Sequence, residues 1–251
     1  MCHFFITGIM RCGTTYLATV LDEHPEICMA KPLLPEPKFF LKDDEYSKGL
    51  DYYRSKYFCN ENRAKMYGEK TVHYSEREDA VRRIKHHFPE SKIIMMLRNP
   101  VYRALSNYFF SVKNGLETRS IEEVFLEDVP PSEYDERILF ISPFNYLERG
   151  EYIRHLKLWE KHYKKEQIKI IVMENFVGSR ERISQLYGFL AVDDSFVPPS
   201  IDLRIFSNEV DLSNINPDII KRLKEYYLEH NKMLEKHLKI DLSVDLGTWK
   251  G

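Results

Sequence analysis

A short turn near the N-terminus carries residues that suit an anion. An apolar run at 3–9 leads into R-C-G-T-T, and a helical pattern follows. In such a strand–turn–helix unit, several backbone N–H groups and the positive end of the helix dipole point at one place. Gly13 lets the backbone approach a ligand, Thr14 and Thr15 carry hydroxyl donors, and Arg11 supplies a forked, permanent charge. The G-x-x-x-x-G-K-[ST] spacing of a P-loop is missing, so an ordinary turn capped by threonine is the alternative.

A second basic segment, R-N-P-V-Y-R-A-L-S, begins at Arg98. It follows the apolar run at 92–97, which is the strongest strand pattern in the chain. Ligands of open α/β sheets bind at the carboxyl ends of the strands. Ser106 lies about two helical turns after Arg98, so the two side chains could hold a second anionic group such as a phosphate. A surface arginine and an unrelated helix serine are the alternative.

The elements that must position these residues alternate along the chain. Short apolar runs predict strands at 3–9, 27–30, 66–71, 92–97 and 168–173. Apolar residues at helical spacing predict helices before Pro25, at 48–57, 77–88, about 100–112, 121–126, 152–163, about 180–190, and from the N-cap Asn216 onward. We interpret 31–40 and 129–149 as loops and Trp159 as a core residue. This alternation predicts a parallel sheet that is covered by helices on both faces.

Composition and charge exclude several classes of protein. The 251 residues contain 37 basic and 39 acidic side chains, and the net charge of −2 gives no signature of a nucleic-acid partner. The four cysteines lack metal-ligand spacing, and no apolar stretch of about 18 residues is present. The N-terminus lacks the features of a secretory leader. We expect a single domain over residues 1–251, soluble and cytoplasmic, with no metal and no membrane insertion.

The two basic segments together resemble the 5′-phosphosulfate and 3′-phosphate loops of the PAPS-dependent sulfotransferases, in particular the heparan-sulfate type and its bacterial relatives. The resemblance runs from about residue 4 to 190, and further matching segments are EPKFF at 36–40, KGLDYY at 48–53, GEKT at 68–71 and GEYIRHLKLWEKHY at 150–163. It implies a P-loop-like, three-layer α/β sandwich with a central parallel sheet. It also implies transfer of a sulfuryl group from 3′-phosphoadenosine 5′-phosphosulfate (PAPS) to a hydroxyl or amine of a small-molecule or carbohydrate acceptor. The second product would be adenosine 3′,5′-bisphosphate (PAP).

The resemblance also assigns roles to residues. Those expected to bind PAPS are Arg11, Cys12, Gly13, Thr14, Thr15, Tyr16, Arg98 and Ser106. Glu36 matches the family's catalytic base, and the prolines and phenylalanines around it would partly desolvate the carboxylate, which favours proton uptake. Lys70 matches a lysine near the transferring group, and an alternative interpretation pairs it with Glu69. His73 is an alternative base, because other sulfotransferases use a histidine shortly after a comparable lysine.

Two departures from the family pattern are visible. Arg11 stands where heparan-sulfate enzymes usually have lysine, although other branches carry arginine there. The late K-G-R-x-H-P loop that grips the cofactor is missing, and Arg204, Ser207 or Asn208 within 203–214 could replace it.

Two other functions share this scaffold. A nucleotide or small-molecule kinase would need G-K-[ST] and a magnesium-binding Asp at a strand end, and neither is visible. A non-catalytic nucleotide- or carbohydrate-binding module would not need the basic and acidic residues that the motifs retain. The sequence leaves the identity of the acceptor and the oligomeric state open.

Overall fold

A computed structural model describes residues 2–58, 64–131, 133, 142–203 and 211–239. Arg204, Ser207 and Asn208 lie outside the described residues. The chain divides into two compact units, the first comprising Met1–Leu97 with Leu156–Phe206 and the second Arg98–His155 with Ser207–Gly251. The single functional domain over 1–251 stays a prediction.

The first unit is built on a parallel sheet. Its strands are β1 Cys2–Gly8, β2 Ile27–Met29, β3 Met66–Lys70, β4 Lys92–Leu97 and β5 Ile168–Val172. The strand order is β2-β3-β1-β4-β5, and every pairing is parallel. The central strand β1 places Ile6 beside Lys70 of β3 and Ile94 of β4. β1 is buried on both faces, which its apolar run requires. The predicted parallel α/β sheet is therefore confirmed.

Helices surround the sheet or form the second unit. They are α1 Thr14–Asp22, α2 Asp43–Tyr46, α3 Gly49–Tyr57, α4 Glu78–His87, α5 Pro100–Lys113, α6 Ile121–Phe125, α7 Tyr152–Glu160, α8 Met173–Phe176, α9 Arg180–Leu190 and α10 Pro217–Leu238. Short 3₁₀ helices lie at Val72–Glu76, Glu148–Gly150, Lys165–Gln167 and Leu212–Asn214. Within the described ranges, no helix is both long and apolar enough to cross a membrane.

Helix starts follow the capping chemistry of the sequence. The Asn99 side chain accepts a hydrogen bond from the Val101 N–H at 3.0 Å, with proline at the first helical position of α5. Asn216 does the same for α10 by accepting from the Asp218 N–H at 3.0 Å. The predicted cap at Asn216 is confirmed.

Each unit has its own core. In the first, Trp159 has no exposed surface, which confirms it as a core residue. In the second, α5, α6 and α10 pack their apolar faces together around Leu105, Phe125, Leu223 and Tyr227. This packing holds α5, and with it the start of the second basic segment.

Candidate active site

The first loop connects β1 to α1 through backbone contacts. The Ile9 N–H donates to the Met96 carbonyl at 2.9 Å, and the Cys12 N–H donates back to the Ile9 carbonyl at 3.2 Å. Gly13 then takes the N-cap position of α1 at φ 81°. A glycine cap has no side chain to satisfy the first N–H groups of the helix, so these groups are suited to an anion.

Gly13 is also confined by its neighbours. A Cβ atom there would lie 2.9 Å from the Met173 Sδ and 3.0 Å from its Cγ, so a side chain would force Met173 to move. The preceding Arg11 adopts φ 70° although it is not glycine, a conformation that costs energy. The loop therefore brings its backbone close to the sheet edge and holds it there.

The side chains of this loop contribute unequally. Tyr16 is 2% exposed, and its hydroxyl donates to the Ile201 carbonyl at 2.6 Å and accepts from the Gly178 N–H at 3.1 Å. Cys12 is fully buried and Thr14 nearly so. The Tyr16 and Cys12 side chains therefore serve the protein's own packing, and their predicted ligand contacts would have to come from the backbone.

Glu36 lies in the loop between β2 and α2, with a side chain only 10% exposed. Its Oε1 is 3.1 Å from the Lys70 Nζ, and its Oε2 accepts from the Val72 N–H at 3.1 Å. The His73 Nδ1 lies 3.9 Å from the same Oε2. The expected desolvation is thus accompanied by a cation and an amide N–H, in addition to the apolar neighbours that the sequence indicated. The structure brings Glu36, Lys70 and His73 together, and the roles predicted for them stay predictions.

Lys70 joins Glu36 to the first loop. Its side chain is 2% exposed, and its Nζ also donates to the Thr15 Oγ1 at 3.5 Å. One ammonium therefore contacts both the candidate base and a hydroxyl at the start of α1. The alternative pairing of Lys70 with Glu69 is wrong: successive strand residues face opposite sides of a sheet, and Glu69 makes other contacts.

Glu69 is buried beneath the Glu36 loop, and the sequence did not reveal its partners. Its carboxylate accepts hydrogen bonds from Tyr53 at 2.7 Å, Thr71 at 2.7 Å and Tyr74 at 2.6 Å. Burial raises the pKa of Glu69 to about 6, the hydroxyl hydrogen bonds oppose this rise, and the charge of Glu36 adds to it. The three hydroxyls come from positions without regular spacing, so no motif marked them.

The second basic segment belongs to the second unit. Arg98 directly follows β4 and is partly exposed, and its guanidinium carbon lies 5.9 Å from the centre of the Tyr102 ring. Its carbonyl accepts from the Tyr152 hydroxyl at 2.6 Å. Ser106 lies one further turn along α5 and is 3% exposed. Tyr102 and Ser106 are four residues apart on α5 and so share one face of that helix.

Metal ligands do not cluster in the part of the chain that the structure describes: no group of three His, Cys, Asp or Glu side chains could hold an ion. The predicted independence from metal stays a prediction.

The sheet order and the uncapped glycine turn place the chain among P-loop-like α/β proteins, and a solved structure supports this. The crystal structure of a sulfotransferase from Alicyclobacillus acidocaldarius superimposes with a TM-score of 0.78 and 26% sequence identity, covering 97% of this chain and 98% of that one. A family model described as sulfotransferase domain matches residues 2–208. The chain therefore belongs to the sulfotransferase domain family, as its motifs predicted.

Curated relatives agree with this assignment. Bifunctional heparan sulfate N-deacetylase/N-sulfotransferase 1 of Caenorhabditis briggsae is 29% identical over 172 residues, which is 66% of this chain and 20% of that protein. Heparan sulfate glucosamine 3-O-sulfotransferase 3B1 of Mus musculus is 27% identical over 187 residues, or 73% of this chain and 45% of that protein. The chain thus spans less than half the length of these two relatives.

Proposed function

We propose that this chain transfers a sulfuryl group from PAPS to a hydroxyl or amine of a small-molecule or carbohydrate acceptor. The observation that carries the proposal is the position of the Lys70 ammonium, 3.1 Å from the Glu36 Oε1 and 3.5 Å from the Thr15 Oγ1. A carboxylate that can take a proton and a helix N-terminus that can bind an anion share one cation. Simple ligand binding has no need of that arrangement, whereas group transfer does.

In the proposed reaction, the acceptor oxygen or nitrogen attacks sulfur while Glu36 takes its proton. The new bond to sulfur forms as the bond to the bridging oxygen breaks, and the electron pair stays on the 5′-phosphate of the departing PAP. Arg11, Lys70 and the N–H groups at the start of α1 would stabilise the charge that grows on this oxygen. The alternative base is His73. Its Nδ1 lies 3.9 Å from the Glu36 Oε2, whereas the Lys70 Nζ lies 3.1 Å from the Glu36 Oε1.

The residues present fit PAPS as the donor. The glycine cap of α1 makes no side-chain hydrogen bond to the first N–H groups of the helix, which suits an anionic phosphosulfate at the start of α1. We assign the 3′-phosphate to Arg98 and Ser106, because a forked guanidinium binds phosphate oxygens in pairs. No magnesium is assigned, since a sulfuryl group carries less charge than a phosphoryl group and fixed cations could suffice.

The acceptor class rests on the relatives and on charge. One relative is named for N-sulfation and another for 3-O-sulfation of heparan sulfate, which supports an amine or hydroxyl on a sugar. The net charge of −2 gives no indication of a long basic groove for a polyanion. We therefore favour a small, sugar-like acceptor, with the proline-rich loop at 31–40 beside it.

Calorimetry with PAP and AMP tests the donor assignment. PAP should bind at least about tenfold more tightly, because the extra phosphate gains charge-assisted hydrogen bonds. Arg98→Ala should remove most of that difference while leaving AMP affinity within about twofold. Equal affinities of the parent protein for PAP and AMP would contradict the proposal.

Two further measurements separate the rival functions. Thermal unfolding with PAP and with ATP should show stabilisation by PAP, whereas a kinase would be stabilised by ATP. A mass-detected screen of PAPS with sugars, phenols, lipids and amines should yield a sulfated product. A chain that binds PAP and sulfates nothing in the screen would be a binding module.

A further inference from the structure

The carboxylate of Glu69 organises three hydroxyl groups beneath the Glu36 loop. Glu69 is 1% exposed, and an ionised carboxylate only accepts hydrogen bonds. Tyr74 and Thr71 donate to its Oε1 at 2.6 and 2.7 Å, and Tyr53 donates to its Oε2 at 2.7 Å. The hydrogens of all three hydroxyls therefore point at Glu69, and their lone pairs point elsewhere.

Two of these hydroxyls use their lone pairs to hold the backbone that follows Glu36. The Lys38 N–H donates to the Thr71 Oγ1 at 3.3 Å, and the Phe40 N–H donates to the Tyr74 hydroxyl at 3.1 Å. The Tyr53 hydroxyl differs: its hydrogen bond among the described residues goes to Glu69, while its ring packs 4.8 Å from the centre of the Phe39 ring.

The same strand end also holds the carboxylate of Glu36 itself. Lys70 forms the ion pair at 3.1 Å, and the Val72 N–H donates at 3.1 Å. Lys38 adopts φ 55° although it is not glycine, a conformation that persists only where its neighbours enforce it. The loop is thus fixed at the Glu36 side chain and at two backbone amides beyond it.

We propose that Glu69 is a positioning residue, which fixes the loop carrying the candidate base through the hydroxyls of Thr71 and Tyr74. The inference rests on the proposed function for the role of Glu36, and on the hydrogen bonds alone for the role of Glu69. A base must lie within hydrogen-bond reach of the proton that it takes. A displacement of about 1 Å can lower turnover by about 10²-fold, so the loop's anchoring bears directly on kcat.

A matched pair of tyrosine variants tests the proposal. Tyr74→Phe and Tyr53→Phe each delete one buried hydroxyl that donates to Glu69, but only Tyr74 relays to a loop amide. We expect Tyr74→Phe to lower kcat by about tenfold with the KM for PAPS within about twofold, and Tyr53→Phe to keep both within about twofold. Thr71→Val should also lower kcat, and Thr71→Ser, which keeps the hydroxyl, should restore it.

Amide hydrogen exchange gives a readout that needs no activity. Exchange in the peptide containing Phe40 should accelerate by about tenfold in Tyr74→Phe and remain near the parent rate in Tyr53→Phe. Equal effects of the two variants on kcat or on exchange would overturn the positioning role. If the parent chain transfers no sulfuryl group, the proposed function fails, and the exchange comparison still decides whether the hydroxyl of Tyr74, which donates to Glu69, anchors the loop.

Discussion

The two loops of the candidate site are held in place by different means. The first loop is fixed by its own backbone: Ile9 bonds to β4, Cys12 bonds back to Ile9, and Gly13 turns the chain into α1. The Glu36 loop is instead fixed by side chains of a separate segment, with Thr71 and Tyr74 accepting from its amides. The proposed anion-binding loop is therefore held by hydrogen bonds of its own backbone, whereas the loop that carries the candidate base depends on side chains of a distant segment.

This difference has a chemical reason. An anion is bound well by N–H groups that a turn presents automatically, so a glycine and a helix start suffice. A general base requires a carboxylate held within a few tenths of an ångström, which an irregular proline-rich loop does not achieve alone. Rigid partners supplied by β3 and the following 3₁₀ helix meet that requirement. Variants that remove a charge, the candidate base or an anchoring contact one at a time test this difference between the two loops.

Glu36→Gln should have the largest effect. The amide keeps the size and hydrogen bonding of the side chain but takes no proton, so we expect kcat to fall by about 10²-fold or more. PAP affinity by calorimetry should stay within about threefold. His73→Ala should cost less. If His73→Ala abolishes turnover and Glu36→Gln retains it, the roles of the two residues are reversed.

Arg11→Ala should come next, with steady-state turnover at saturating PAPS reduced by about 10²-fold, because charge near the bridging oxygen is lost. Arg11→Lys should retain measurable activity, since the charge remains and the loop amides already orient the group. An Arg11→Ala protein as fast as the parent would mean that Arg11 points away from the sulfate. The first loop would then be a structural turn, and the charge would come from Lys70 alone.

Gly13→Ala should have a smaller effect on the candidate site. Gly49 serves as a matched control that separates the backbone conformation from the contact with Met173. Gly13 and Gly49 both adopt φ +81°, but an added Cβ meets Met173 at 2.9 Å in the first case and nothing within 4 Å in the second. Urea denaturation should show a loss of about 1 kcal/mol for Gly49→Ala, from the left-handed conformation alone. Gly13→Ala should lose more and weaken PAP binding by about tenfold. Equal losses in stability and unchanged PAP affinity would show that the close packing of the first loop is dispensable.

The regular elements were largely predictable from sequence. β4 occupies residues 92–97 and α9 residues 180–190, as predicted, because each has a clear apolar period and definite ends. The helix Asp43–Tyr46 and the 3₁₀ helix Val72–Glu76 were not predicted, since four or five residues are too few to show a helical period. The cytoplasmic location also stays a prediction.

The two loops of the candidate site also differ in how far they could be predicted from the sequence. The first loop could be recognised from R-C-G-T-T, because its chemistry is that of a contiguous turn. Glu36 required the family motif, and the alternative interpretation that paired Lys70 with its neighbour Glu69 was wrong. Adjacent residues of a strand point to opposite faces of the sheet, but the sequence does not show which residues each side chain contacts there. The buried hydroxyl network therefore became visible only in three dimensions.

Glu69 also makes the stability of the folded chain depend on pH. Its pKa rises from the ordinary 4.5 to about 6, mainly through burial. A carboxyl group with a raised pKa binds protons more tightly in the folded state, so its contribution to stability is full below about pH 4.5. That contribution is lost as pH rises through about 6. The difference amounts to about 2 kcal/mol.

Glu69→Gln removes the titrating carboxyl group, so the difference in stability between the parent and this variant isolates the titration of Glu69. Urea denaturation of both proteins between pH 4.5 and 7.5 should show the stability of the parent, relative to Glu69→Gln, declining by about 2 kcal/mol with rising pH. Other titrating groups cancel in that difference. Because the charge of Glu36 contributes to the raised pKa, the decline should be smaller when both proteins also carry Glu36→Gln. A difference that is flat, or that grows with pH, would mean that the hydroxyls of Tyr53, Thr71 and Tyr74 fully compensate the buried charge. Glu69 would then stay ionised across this range, and the anchoring of the base loop would be insensitive to acid.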